Sequence, residues 1–240
     1  MPGIQRARGG DGVEILRLDR PERRNALDSA TLKEFIETLD ELAADTEVRV
    51  LVVSTTSERA LSAGADVAEP LDREAGVARM ELFSRFYAAV EGFPAVTIAV
   101  CVGNCVGAGA ELAAGCDLRV GGDNLKLAWA GARLGVPVGP ARLVPLVGLS
   151  RAKELIFTGR VVGVDEAAAL GLLARTAPAD RAEAAALELA REIGAHPPAG
   201  LRSLKQLFGD FERTGERVAS ENQALEAFQR EGAGLPQARA

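Results

Sequence analysis

Histidine and aromatic side chains are what this sequence has least of. A single histidine, His196, stands in the chain, and Phe, Trp and Tyr together make up 4% of the residues. One imidazole, placed directly before Pro197-Pro198, offers no nitrogen ligand set for a metal and only one possible base for a serine nucleophile. Scarce aromatics leave little for nucleic-acid bases to stack on. The formal charge of −6 argues the same way, because a surface that tracks a phosphate backbone needs a basic excess. Cysteine is sparse and odd in number. Cys101, Cys105 and Cys116 lie among apolar or Gly-rich neighbours with no CxxC pair, so buried, reduced thiols are expected and a metal site is not. A signal peptide is not expected either, since Met1 to Gly12 is polar and Gly-rich. The longest apolar stretch, Ala95 to Ala110, is broken by Asn104 and closed by Glu111, short of a membrane span. A soluble cytoplasmic protein is expected, with no nucleic-acid and no membrane partner.

What is present suits a folded α/β protein. The chain has 240 residues, 48% of them hydrophobic and 26% charged, enough for one large domain or a domain with a helical appendage. Val13 to Leu18 alternates like a half-exposed strand, and Val48 to Ser54 and Val96 to Val102 read as buried parallel strands. A shorter strand is expected near Leu118 to Val120 and another near Leu173 to Ala177. Between them lie helical patterns: one capped by Asp28 or Ser29 and carrying Leu32, Phe35, Ile36 and Leu39, one over Gly76 to Val90, and a short one over Ala108 to Ala114. Leu125 to Pro145 reads as irregular. Helices follow at Ser150 to Phe157, Val164 to Leu170 and Asp180 to Ile193. After Pro197-Pro198 only helix is expected, over Gly200 to Arg213 and Gly215 to Glu231. The chain therefore divides on this reading into a core of residues 1–194 and a helical region of residues 195–240. No repeat is visible in the sequence.

Two small-residue turns each join a buried strand to a helix: Ser62-Ala63-Gly64-Ala65-Asp66 and Gly107-Ala108-Gly109-Ala110-Glu111. Unpaired N–H groups at a helix start point outward, and two that converge on one oxygen can contribute about 3 kcal/mol each to a developing enolate. Such turns also serve tight packing alone, and the pattern by itself leaves both readings open. A dinucleotide fingerprint fails, because Leu112 stands where Gly or Ala is needed. No GK[ST] completes a phosphate loop, and no GxSxG marks a hydrolase.

Four segments in order carry a resemblance: Arg20-Pro21…Asn25-Ala26-Leu27, Leu61-Ser62-Ala63-Gly64-Ala65-Asp66, Gly107-Ala108-Gly109-Ala110-Glu111-Leu112-Ala113 through Cys116-Asp117-Leu118-Arg119, and Leu155…Thr158-Gly159-Arg160 with Glu166-Ala167 and Gly171-Leu172. Together they resemble the crotonase (enoyl-CoA hydratase/isomerase) superfamily over about Val13 to Leu207. The resemblance implies an α/β spiral of ββα units, with residues 195–240 used in trimer formation, and a homotrimer or a hexamer built as a dimer of trimers. It implies an acyl-CoA substrate in fatty acid metabolism and no resident cofactor, since coenzyme A arrives with the substrate. It assigns the oxyanion hole to the N–H groups of Ala65 and Ala108. Coenzyme A would lie along Arg23, Arg24, Ala63, Gly64 and Asp66, and the acyl pocket along Trp129, Gly131 and Leu134.

Glu111 matches the first of the two glutamates with which such hydratases activate water; the plainer reading is an acid favoured by the first turn of a helix. In Lys126 to Pro137 the second glutamate's place is held by Gly131, and the following loop is a few residues short. Adding water requires one group to activate it and another to protonate Cα, so losing one costs ~10²–10⁴ in rate. The resemblance thus implies a lyase or isomerase with Glu111 as its sole acid/base. Two alternatives stay open, a catalytically silent acyl-CoA binder or partner subunit and a scaffold independent of CoA. Asp66, Glu69 and Asp72 are expected as solvated loop acids, and His196 at the surface.

Overall fold

The computed structural model describes residues 3–232 and 234–235. The hairpin β1 (Ile4–Gly10) and β2 (Val13–Leu18) turns through Asp11 and Gly12, both at positive φ. Helix α1 (Ser29–Ala44) starts at Asp28, whose carboxylate accepts from Thr31 N, and buries the stripe Leu32, Phe35, Ile36, Leu39 and Leu42. Strands β3 (Val50–Thr55) and β4 (Ala60–Ser62) lead to α2 (Arg73–Glu91), and β5 (Val96–Cys101) and β6 (Asn104–Val106) to α3 (Ala108–Gly115). Strands β7 (Leu118–Gly122) and β8 (Lys126–Ala128) lead through a 3-10 turn at Gly131–Leu134 to α4 (Pro140–Thr158). The order strand, strand, helix thus recurs as one architectural unit, which no recurring residues announce. Helix α5 (Val164–Ala169), strand β9 (Arg175–Ala177) and α6 (Ala182–Gly194) complete the core layers.

The longer strands form a six-stranded sheet in the order β1-β2-β3-β5-β7-β9, parallel except for β1 against β2. The short ones form a second, parallel sheet, β4-β6-β8. One face of the large sheet (Val50, Val52, Ile98, Val100, Val120) packs on Ala182, Ala186 and Ala190 of α6, whose small side chains let the helix sit close. The other face packs on α1, α2 and α3 in the main core. Because both faces are covered, β2 is mostly buried rather than half-exposed. Even Glu14 is enclosed, its carboxylate taken by Arg6.

Residues 125–145 are more ordered than expected. They hold β8, the 3-10 turn and the first half of α4, which runs through Pro145 and breaks at Gly148 (φ 75°) before resuming. Two helices follow α6. Helix α7 (Pro198–Phe211) buries none of its residues and exposes Leu204, Leu207, Phe208 and Phe211. Helix α8 (Thr214–Glu231) buries Val218, Glu221, Asn222 and Leu225 and packs on α2 and α4. Cys101, Cys105 and Cys116 are free and buried, and His196 is exposed, both as expected. Among the described residues no helix is long and apolar enough to cross a membrane.

Candidate active site

The small sheet brings three turns side by side, because parallel neighbours end together. Strand β4 ends in Ala63–Asp66, β6 in Gly107 and β8 in Trp129–Gly131. The approach of the first two is close enough to demand glycine. A Cβ on Gly109 would lie 2.2 Å from Ser62 O, so α3 rests directly on the end of β4. Gly64 has φ +101°, and a Cβ there would meet Val106 O at 2.8 Å and Ala108 N at 3.6 Å. The main chains of the two turns therefore touch at the Gly64 and Ala108 positions.

Both amides singled out in the sequence stand outside the ladders. Leu27 bridges this turn by donating to Gly64 O and accepting from Asp66 N, which skips Ala65 N. Gly107 N takes Ala128 O, and the helix opens with Glu111 N donating to Gly107 O, which leaves Ala108 N as the first free N–H of α3. Neither amide has a hydrogen-bond partner among the described residues.

Glu111 lies in the same first turn, 1% exposed. Its Oε2 accepts from Arg142 Nη1 at 3.2 Å, while Oε1 lies 3.2 Å from where a Gly139 Cβ would be, a point also 3.3 Å from Trp129 Cδ1 and 3.2 Å from Ile156 Cδ1. Gly139 (φ +117°) thus leaves space beside the free oxygen. Trp129 is buried, and its Nε1 has no hydrogen-bond partner there.

The Arg142 guanidinium, fully enclosed, also binds Glu221 Oε1 at 2.5 Å, lies 3.6 Å from Glu91 Oε1 and covers the Tyr87 ring at 4.2 Å. Burial pushes the Glu111 carboxyl up to about 8; the Arg142 charge opposes the rise, and the Glu221 and Glu91 charges reinforce it. Glu91 is pushed up to about 7, again chiefly by burial against Arg142. Burial disfavours the Arg142 charge, but three carboxylates outweigh it and hold the guanidinium protonated. A buried carboxyl that exchanges its proton near neutral pH, beside unpaired amides, is equipped for acid/base work.

The other residues singled out in the sequence fall into four groups. Ala63 and Gly64 form the turn itself, with Ala63 N bonded to Arg24 O. Arg23 and Arg24 are exposed on the loop beside it, and Arg24 lines a cleft of about 320 Å³ with Arg59, Lys126, Glu58, Asn104 and Asn124. The side chains of Arg24, Arg59 and Lys126 have no partner among the described residues, so three cations face that cleft. Asp66 is not a solvated acid: it is buried, and its carboxylate is taken by Arg20 and Ala68 N. Nor is Glu69, which receives Ser29 N at the start of α1 and pairs with Arg79. Asp72 caps α2 by accepting from Ala75 N. Leu134 is 43% exposed, whereas Gly131 is buried and closed in: a Cβ there would meet Val138 Cγ1 at 2.9 Å and Val136 O at 3.0 Å.

Known proteins share this family and fold. The model of the family described as enoyl-CoA hydratase/isomerase matches residues 8–231. The chain belongs to the enoyl-CoA hydratase/isomerase family. A 2,3-dehydroadipyl-CoA hydratase of Escherichia coli is 32% identical over 81% of this chain and 77% of its own. A putative enoyl-CoA hydratase of Thermus thermophilus is 38% identical over 81% and 79%. The crystal structure of an enoyl-CoA hydratase/isomerase from Xanthobacter autotrophicus superposes with a TM-score of 0.86 at 29% identity, covering 98% of this chain and 89% of that one. The crotonase fold and an enzyme of the hydratase/isomerase family, as the four sequence segments implied, are thereby established. Sequence reasoning missed Arg142, Glu221 and Glu91 around Glu111, and Arg59 and Lys126 at the cleft. An arginine within the apolar segment Pro140 to Val147 is the signal the sequence offers for the first of these.

Proposed function

We propose that the chain acts on an acyl-CoA thioester by stabilising its enolate, with Ala65 N and Ala108 N as the oxyanion hole and Glu111 as the sole acid/base. The observation that carries this reading is a single turn of α3 presenting both an unpaired amide and a buried carboxyl with one free oxygen. In the ionised form, Glu111 Oε1 takes a proton from carbon, the C–H electron pair moves through Cα to the thioester oxygen, and the two amides receive the developing charge. The same carboxylic acid then returns the proton to a different carbon of the enolate, completing an isomerisation. Protonation of an enolate left by decarboxylation uses only the second half. Hydration needs a second acid/base near the water, and the closed Gly131 position supplies none. On this reading the chain departs at that step from those relatives that are named hydratases.

The three cations of the cleft, Arg24, Arg59 and Lys126, with Arg23 beside them, suit the phosphates of coenzyme A, and the Ala63–Gly64 main chain suits its pantetheine arm. The Asp66 carboxylate, already engaged by Arg20, serves by holding the turn in place. Trp129 walls the acyl pocket, Gly131 bounds it and Leu134 stands at its rim. The apolar face of α7, with Phe208 68% and Phe211 75% exposed, supports burial against further copies in a trimer or hexamer, residues 195–240 being the assembly region. We place the protein in the cytoplasm, with no resident cofactor.

The test is α-proton exchange into D2O and turnover on a panel of 2-enoyl-, 3-enoyl- and malonyl-type CoA thioesters, wild type against Glu111→Gln. Loss of ~10²–10⁴ in rate is expected for the variant. Equal rates would remove Glu111 from the mechanism. Gly131 also favours a second reading, a silent acyl-CoA binder; micromolar binding with no chemistry on any member of the panel would establish that one instead.

A further inference from the structure

Helix α3 does not by itself aim the Glu111 side chain. Arg142 holds one of its oxygens, and Arg142 is in turn held mainly from elsewhere. Its Nη1 lies 2.5 Å from Glu221 Oε1 and 3.2 Å from Glu111 Oε2, so Glu221 has the firmer grip on the shared nitrogen. The second oxygen of Glu221 accepts from Ala141 N at 2.8 Å, one residue before Arg142. Arg217, one turn earlier on α8, donates to Ala141 O. Helix α8 therefore clasps residues 141–142 by side chain and main chain at once, and the Tyr87 ring closes over the guanidinium from α2.

We propose that Arg142, anchored by Glu221 of α8, positions the Glu111 carboxylate, so that proton transfer at Glu111 depends on α8 being docked. This rests on the reading of Glu111 as the acid/base. Three consequences follow from the geometry. Binding at Oε2 directs Oε1 to the Gly139–Trp129 space, so one oxygen alone reaches the substrate. The cation also sets how readily Glu111 ionises, and it is shared: Glu111 is faced by Tyr87 and Glu91 from α2, Arg142 from α4 and Glu221 from α8, with Arg217 behind them. Removing the Glu221 charge leaves more of Arg142 to Glu111 and eases its ionisation; removing the Arg142 charge does the opposite. The two changes move the same proton in opposite directions, which a scaffolding role would not do.

The experiment uses the full-length protein and two readouts. The carboxyl C=O band of protonated Glu111, identified by its disappearance in Glu111→Gln, is titrated by infrared spectroscopy. The α-proton exchange of butyryl-CoA in D2O is followed against pH. In Glu221→Gln the band is expected to titrate about one pH unit lower, a tenfold change in ionised fraction, and in Arg142→Gln higher by a similar amount. In Glu221→Gln the exchange limb should move with the band, and kcat should fall at least about tenfold with KM little changed as Oε1 loses its aim. Should Arg142→Gln not fold, Arg142→Lys keeps the charge without the fork and is expected to keep the titration near wild type while lowering kcat. An unmoved Glu111 band in Glu221→Gln together with an unmoved kcat in Arg142→Lys would overturn the proposal. If the band moves as stated while exchange is unaffected even in Glu111→Gln, the positioning stands and the acid/base reading of Glu111 falls.

Discussion

Replacing Glu111 by Gln should make the protein more stable above pH 8 while hardly changing it at pH 5. The carboxyl is raised from 4.5 to about 8, so the native state keeps a proton that the unfolded chain gives up across that interval. A raised native pKa means that the stability linked to this group is complete below pH 4.5 and is lost as pH climbs through 8. At about 1.4 kcal/mol for each tenfold step in proton affinity, the loss has an upper bound of about 4–5 kcal/mol. Glu91, raised to about 7 beside the same guanidinium, shares protons with it, and we expect at least about 2 kcal/mol of the loss to vanish in the variant. Glutamine copies the shape of the neutral acid, so the two proteins should agree within ~1 kcal/mol at pH 5. Urea unfolding at pH 5, 7 and 9 measures this directly, the residual slope below pH 7 in the variant belonging to Glu91. Parallel stability curves for wild type and Glu111→Gln would refute the reasoning.

Three further outcomes are expected. Gly64→Ala puts a methyl against Val106 O in a left-handed backbone position and should cost ~1–3 kcal/mol in a denaturant melt and about 10² in kcat on an active acyl-CoA. Gly131→Glu should not create hydration, because its Cβ already meets Val138 and Val136 O; we expect no 3-hydroxyacyl-CoA from crotonyl-CoA and a loss of roughly 1–3 kcal/mol in stability. Arg59→Ala and Lys126→Ala should raise KM for acyl-CoA severalfold with kcat little changed, an effect that fades as salt is added.

Much of the architecture could be read from the chain because its signals are local. The valine-rich run at Val50 to Val53 reads as buried strand, and the Asp28 cap with its Leu32–Phe35–Ile36–Leu39 stripe announces a helix. Strands β4, β6 and β8 have three residues each, too few to show a period, yet they align the turns of the site. Two of the four motifs contain Ala65, Ala108 and Glu111, and glycine-lined turns are local signals as well. What sets the state of Glu111 is not local. Arg142 and Glu221 are 79 residues apart, and only the docking of α8 brings them together. Asp66 and Glu69 were misplaced in solvent for the same reason, their partners Arg20, Arg79 and the start of α1 being brought in by the fold.

A crystal structure with an unreactive acyl-CoA bound tests the central claim most directly. The account predicts the thioester oxygen within about 3.1 Å of both Ala65 N and Ala108 N, with Glu111 Oε1 facing the carbon that exchanges its proton. A thioester oxygen bound elsewhere, with either amide turned to a main-chain partner, would contradict it.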